Sequence, residues 1–319
     1  MRRGHHSRFR VRLGASLLAI STAFAAVAGP GGPAGADTRP VSAAPSLPGT
    51  HDVGERLREL EISYQGRIGA FAIDTGTGRT ISYRGGERFP SRSTFKAILC
   101  GAILAKARTT DPGLLNRTLR WTAQEVVTDS PITGKPENIE NGMTAERLCH
   151  AAITVSDNTA GNVLLKQIGG PAGLTRYYRS LGDPVGRLDR WEPQLNEWKP
   201  GEKRDTVKPA FMARSLQKLT VGGVLHPQDR RRLTGWLRDS TTGAERIRKG
   251  LPQDWIVGDK TGGAAGAYAP GSDIAVAWPP SGAPLIIAVY TNRDDPAATV
   301  DNSVIAKTAT LLARGLGRL

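Results

Sequence analysis

Three short segments lie far apart in the chain, and together they carry side chains suited to acyl transfer. They are Ser93-Thr94-Phe95-Lys96, Ser156-Asp157-Asn158 and Lys260-Thr261-Gly262-Gly263. A serine three residues ahead of a lysine on one helix places hydroxyl and amine as neighbours on the same face. Pro90 precedes Ser93 and a long apolar run follows it, which puts Ser93 in the first turn of a buried helix. There the aligned peptide dipoles favour developing negative charge. A lysine removed from water at such a place has its ammonium form disfavoured and can act as a base. A fourth segment, Arg190-Trp191-Glu192-Pro193-Gln194-Leu195-Asn196, adds a carboxylate and, four residues on, an amide. Sharing one water, these two form a general base that can clear an acyl-enzyme.

Each piece has a plainer reading when taken alone. Ser, Asp and Asn are the preferred helix N-caps, so Ser156-Asp157-Asn158 also reads as a cap. Lys260-Thr261-Gly262-Gly263 also reads as a turn after an apolar strand, and no glycine immediately precedes the lysine as a phosphate loop requires. Glu192 alone is a surface acid. Ser215-Leu216-Gln217-Lys218 repeats the serine–lysine spacing in the middle of an amphipathic stretch, where it reads as ordinary helix. The chemistry therefore depends on elements that bring the segments together.

Those elements can be sketched from patterning. Arg56 to Tyr64 has helical apolar spacing, and Arg67 to Asp74 with Thr80 to Tyr83 reads as a hairpin across a glycine-rich turn. From Pro90 to about Leu237 the pattern is mainly helical, with helices expected over 95–105, 144–153, 160–168 and 208–219. Strand character returns over 255–260, 272–278 and 284–290, and a helix is expected over 301–316. Strands at both ends with helices between imply a discontinuous α/β domain, 51–89 and 238–319, interrupted by an all-α domain, 90–237. The cleft between them is the expected place for a site.

The first 36 residues read as an export leader: five arginines, the apolar run Leu13 to Gly29, and cleavage sites after Ala28 or Ala36. Residues 37–50 read as a flexible N-terminus. The apolar run is short and alanine-rich, so no stable membrane anchor is expected, and the protein is expected to be secreted. The formal charge of +14 falls by the five leader arginines on cleavage, and the rest reads as a cationic surface. No motif for nucleic acid accompanies it. Five histidines show no metal-ligand spacing, and none is placed for a Ser-His-Asp arrangement, so neither metal nor cofactor is expected. The two cysteines, Cys100 and Cys149, lie seven residues after Ser93 and seven before Ser156. In an exported protein such a pair suggests a bridge, with two free thiols as the other reading.

In this order and combination the segments resemble the class A serine β-lactamases, from about Val53 to Leu319. Phe89-Pro90, Thr144-Ala-Glu-Arg-Leu-Cys149 leading into Ser156-Asp-Asn-Thr-Ala160, and Arg204-Asp205-Thr206 carry the resemblance further. It implies a mainly antiparallel five-stranded sheet flanked by helices, and a monomer acting on a small-molecule β-lactam, giving antibiotic resistance. Ser93 would attack the ring carbonyl while the amides of Ser93 and Gly263 hold the oxyanion. Lys96, or Glu192 through a water, would take the serine proton, and Ser156 would relay it to the leaving nitrogen. Asn158 would orient Lys96 and the substrate side chain; Lys260, Thr261 and Arg246 would face the substrate carboxylate, with Arg248 as competitor for the last place. Glu192 and Asn196 would drive deacylation, Arg190 and Asp205 would pin their loop, and Cys100–Cys149 would match the disulfide of many members. A peptidoglycan D-Ala-D-Ala peptidase or a β-lactam sensor are the other readings; the Glu192/Asn196 pair disfavours both. One departure stands out: Asp129 occupies the place of an aromatic gate beside the cleft. Arg92 and Ala264 likewise leave no place for the extra cysteine bridge of a carbapenem-hydrolysing branch.

Overall fold

A computed structural model of the chain describes residues 50–263 and 266–319. The expected leader, the stretch from 37 to 49 and Ala264 lie outside the described residues. Thr50, counted with the flexible N-terminus, instead opens a helix.

Helix α1 (Thr50–Tyr64) leads into β1 (Gly66–Asp74) and β2 (Thr80–Tyr83). The chain then makes β3 (Phe89–Pro90), α2 (Phe95–Thr109), β4 (Thr118–Leu119), α3 (Pro136–Asn141), β5 (Met143–Thr144), α4 (Ala145–Thr154), α5 (Asn158–Gln167) and α6 (Gly170–Ser180). After β6 (Thr206–Val207) come α7 (Pro209–Thr220) and α8 (Pro227–Arg238), then β7 (Ile256–Gly262), β8 (Gly271–Trp278), β9 (Leu285–Arg293) and α9 (Asn302–Gly315). The main sheet has the order β2-β1-β9-β8-β7, every pairing antiparallel. The first and last stretches of the chain thus share one sheet, as the strand–helix–strand pattern required.

Strand periodicity explains how that sheet serves two cores. Leu285, Ile287 and Val289 of β9 point to one face, while Ile286, Ala288 and Tyr290 point to the other. β1 repeats this, with Ile68, Ala70 and Ala72 set against Phe71 and Ile73. Covered on both faces, such strands read as continuous apolar runs rather than alternating ones. The first face packs on α1 and α9 through Val53, Leu57, Val304 and Leu312. The second shares a single core with α2 and the helices around it. Helix α2 is buried on nearly every side from Phe95 to Leu104, so its apolar character all round fits a helix at the centre of a bundle. Each fully buried Leu or Ile there contributes about 1.5–3 kcal/mol.

The expected Cys100–Cys149 bridge is not formed. Cys100 on α2 and Cys149 on α4 are both buried free thiols. The Cys100 thiol donates to the Cys149 carbonyl oxygen at 3.7 Å. Burial raises the Cys149 thiol well above its ordinary value.

β7 is an edge strand, so one side of its backbone is free of strand partners. That side runs beside the turn that carries Ser93.

Candidate active site

The Ser93 segment is held from both sides. Phe89-Pro90 pairs with Thr206-Val207, and the Ser91 amide donates to the Asp205 carbonyl at 2.8 Å. Arg92 then takes a left-handed conformation (φ +47°) and opens a single 3-10 turn, Arg92–Thr94. Ser93 therefore sits one turn ahead of α2 proper, in tighter backbone than the α-helical turn its spacing suggested. Gly262 on β7 permits the close approach, since a Cβ there would lie 2.0 Å from Ser272 Oγ and 2.9 Å from Arg92 Cβ.

Lys96, on the first turn of α2, is wholly buried. Its Nζ donates to Ser93 Oγ at 3.1 Å, Asn158 Oδ1 at 2.6 Å, Ser156 O at 2.7 Å and Ser156 Oγ at 3.4 Å. It also lies 3.3 Å from Glu192 Oε1, with neither side chain exposed. Burial lowers the Lys96 amine from its usual range, and the Glu192 charge opposes the shift. Lys260, equally buried on β7, donates to Ser156 Oγ at 3.0 Å and to the Thr261 carbonyl at 2.8 Å. Burial first, and the Lys96 charge second, bring its pKa down to about 7. The Ser156 hydroxyl thus stands between two buried amines, an arrangement able to pass a proton.

The cap reading of the Ser156 segment falls on its middle residue. Asp157 is the N-cap of α5, its carboxylate accepting from the Ala160 amide at 2.9 Å and from the Ile132 and Thr133 amides. Ser156, just before it, is left-handed (φ +61°). The cap fixes the loop, and Ser156 is left to face the lysines. Asn158 bridges Lys96 to the 128–131 segment, its Nδ2 donating to the Thr128 carbonyl at 2.9 Å.

Glu192 is carried by a loop closed at its neck. Asp205 accepts from Arg190 Nε at 2.6 Å and from the amides of Asp189 and Arg190 at 2.7 and 3.0 Å. Glu192 Oε2 receives Asn196 Nδ2 at 2.6 Å, and Oε1 lies 3.5 Å from Ser93 Oγ. Two further residues fix this geometry in roles that the sequence did not show. Asn162 accepts from the Glu192 amide at 3.0 Å and donates to its carbonyl at 2.9 Å. Its signal was available, for Asn158 and Asn162 are four apart on one face of α5. Arg92 donates to the Asn196 carbonyl at 2.5 Å, and its pKa is down at about 10, mainly through burial.

Arg246 lies beneath the β7–β8 edge. It donates to the Gly262 and Ser272 carbonyls at 2.8 and 2.6 Å and to Asn302 Oδ1 at 2.9 Å. Its competitor Arg248 turns away and pairs with Asp259. Thr242, also missed, shares a hydrogen bond of 2.6 Å with the Thr261 hydroxyl. A cleft of about 840 Å³ brings Ser93, Ser156, Asn158, Asn196, Arg246, Thr261 and Gly263 onto one surface. No cluster of three or more metal-ligating side chains occurs among the described residues.

The geometry has close counterparts. The crystal structure of a β-lactamase from Streptosporangium roseum superposes with a TM-score of 0.82 at 57% identity, covering 84% of this chain and 100% of that one. The β-lactamase from Streptomyces albus G does so at 0.78 and 45%, covering 82% and 98%. An antiparallel five-stranded sheet joined to a helical layer, with this cleft between them, is the fold of the class A β-lactamases. At sequence level the chain is 48% identical to a β-lactamase of Streptomyces lavendulae over 94% of its own length and 96% of that protein's. A family model described as the beta-lactamase enzyme family matches residues 52–316, and the chain belongs to that family.

Proposed function

We propose that the protein hydrolyses the β-lactam amide of penicillins and cephalosporins in two steps through an ester on Ser93, and so protects its producer from these antibiotics. Ser93 Oγ attacks the ring carbonyl and gives up its proton within the Lys96–Glu192 pair. The amides of Ser93 and Gly263 hold the oxyanion, where one such donor is typically worth about 3 kcal/mol of barrier. The C–N bond breaks, and the leaving nitrogen takes a proton through Ser156, which two amines flank. Lys260, Thr261 and Arg246 line the wall that receives the substrate carboxylate, and Asn158 receives the acyl side chain. A water held by Glu192 and Asn196 then attacks the ester; its proton passes to Glu192, and Ser93 regains its own.

The observation that carries this reading is the buried Glu192 carboxylate, 3.5 Å from Ser93 Oγ and bonded to Asn196 at 2.6 Å. A peptidase or a sensor would acylate with Ser93 and Lys96 alone; only turnover of the ester needs this base. The leader-like N-terminus supports export of the mature protein, and no helix among the described residues is long and apolar enough to cross a membrane. A chromogenic cephalosporin tests the proposal. Sustained turnover is expected; one burst of stoichiometric colour followed by silence would show a sensor, and a slow trickle a peptidase.

A further inference from the structure

The cleft is electrically lopsided. Under its β7 wall lie Arg246 and Lys260, both buried. The facing segment, 128–131, packs instead on the head of α5, where the Asn158 amide donates to the Asp129 carbonyl at 3.0 Å. Among the described residues that line the cleft, Asp129 carries the one carboxylate, and it is exposed. Its backbone is left-handed (φ +58°), a conformation that Asp and Asn adopt more readily than most residues. The backbone is tied to Asn158, so α5 holds the main chain that carries this acid at the rim.

We propose that Asp129 determines side-chain specificity, favouring β-lactams whose acyl side chain bears an ammonium group and disfavouring those that bear a second carboxylate. This rests on the reading of the cleft as a β-lactam site. A ring carboxylate drawn to the Arg246–Lys260 wall leaves the acyl side chain beside Asn158, and therefore beside Asp129. The favoured substrate is a zwitterion laid along the charge gradient of the cleft. An exposed ion pair is worth up to about 1 kcal/mol, so the preference is about three- to fivefold in kcat/KM. It is screened by salt, because the Debye length shrinks to about 3 Å at 1 M.

The test compares three penicillins that share a phenylacetyl side chain and differ only at its α-carbon: ammonium, hydrogen or carboxylate. Measured near pH 6.5, where an α-amino group is protonated, kcat/KM is expected to fall in that order. The spread should collapse toward one in Asp129→Asn, which keeps the left-handed backbone, and for the parent protein in 1 M salt. An unchanged spread in Asp129→Asn, or a flat order in the parent at low salt, would overturn the inference while leaving the hydrolytic function intact. If the parent turned over none of the three, the functional reading would fall and the inference with it. Should Asp129→Asn not fold, the salt series on the parent still decides.

Discussion

Replacing Glu192 by Gln separates the two chemical steps. The side chain keeps its shape and loses its charge, at a position 3.5 Å from Ser93 Oγ and 3.3 Å from Lys96 Nζ. Asn196 Nδ2 donates to Oε2 at 2.6 Å, so the new amide must turn its oxygen toward Asn196 and its NH2 toward Lys96. Removing one partner of a buried ion pair costs about 3–5 kcal/mol when the other stays charged. Lys96 escapes that cost by releasing its proton, which burial already favours. The amine is then neutral, 3.1 Å from Ser93 Oγ, and suited to take its proton, so acylation persists. Deacylation loses its general base, worth about 10²–10⁴ in rate. Mixed with one equivalent of penicillin, the variant should give a burst and then a stable adduct of enzyme plus one substrate mass. Stability carries a second signature. Burial already lowers Lys96 in the parent; without the Glu192 charge its folded-state pKa falls further, so stability relative to the parent should fall as pH drops below the parent's folded value. Turnover at the parental rate with no adduct by mass spectrometry would refute the role of Glu192. A folded variant that never acylates would refute neutral Lys96 as a sufficient base.

Further expectations follow from other parts of the site. Lys260, at about 7, is charged below that pH and loses its proton above it; kcat/KM should therefore decline as pH rises through about 7. The decline in kcat should come at higher pH, because a bound carboxylate holds the ammonium, and Lys260→Arg should abolish the limb, since a guanidinium does not titrate there. Arg246→Ala should raise KM by about 10- to 100-fold with kcat little changed, matching the loss of a charge-assisted bond of about 1.5–3 kcal/mol; a fall in kcat with KM unmoved would argue against its carboxylate role. Asp205→Asn can keep Oδ1 for the Asp189 and Arg190 amides but loses the charge and the oxygen that accept from Arg190 Nε; deacylation should slow more than acylation, because Glu192 rides on that loop. Gly69→Ala sets a Cβ 2.2 Å from Cε2 of the fully buried Phe89, and urea unfolding should show a loss of about 1–3 kcal/mol.

The parts of the site legible in sequence are those whose chemistry is carried by residue type and short spacing. Ser93 and Lys96 meet through one helical turn, and Glu192 and Asn196 through a four-residue step. The fold class was legible because the long apolar strands lie toward the two ends of the chain, while the strands between them, β4, β5 and β6, are two residues each. Contacts that depend on where distant backbones come to rest were not legible. Arg92 reaches the Asn196 carbonyl only because its own φ is positive, and Thr242 meets Thr261 only because the stretch after α8 passes beside β7. The cysteines fail for the same reason. α2 and α4 do pack together, yet a bridge turns on a sulfur–sulfur approach and a side-chain direction that spacing along the chain does not encode.

Ser156-Asp157-Asn158 shows why a structural reading and a chemical one need not compete. Asp157 spends both carboxylate oxygens on α5 and the 132–133 backbone. Because that anchor holds the loop, Ser156 can keep a left-handed backbone and still place its hydroxyl between Lys96 and Lys260. Asn158 is likewise fixed by α5, and it points one amide atom at Lys96 and the other at the cleft rim. If this division holds, Asp157→Ala should impair catalysis without touching a reacting atom, by releasing both neighbours. Its effect should appear in kcat together with a lower melting temperature. Ser156→Ala should instead slow kcat with a smaller loss of stability, since Lys96 and Lys260 lose one acceptor each but keep others, and no helix loses its cap. Equal loss of stability in both variants would show that Ser156 belongs to the scaffold and would remove it from the proton path.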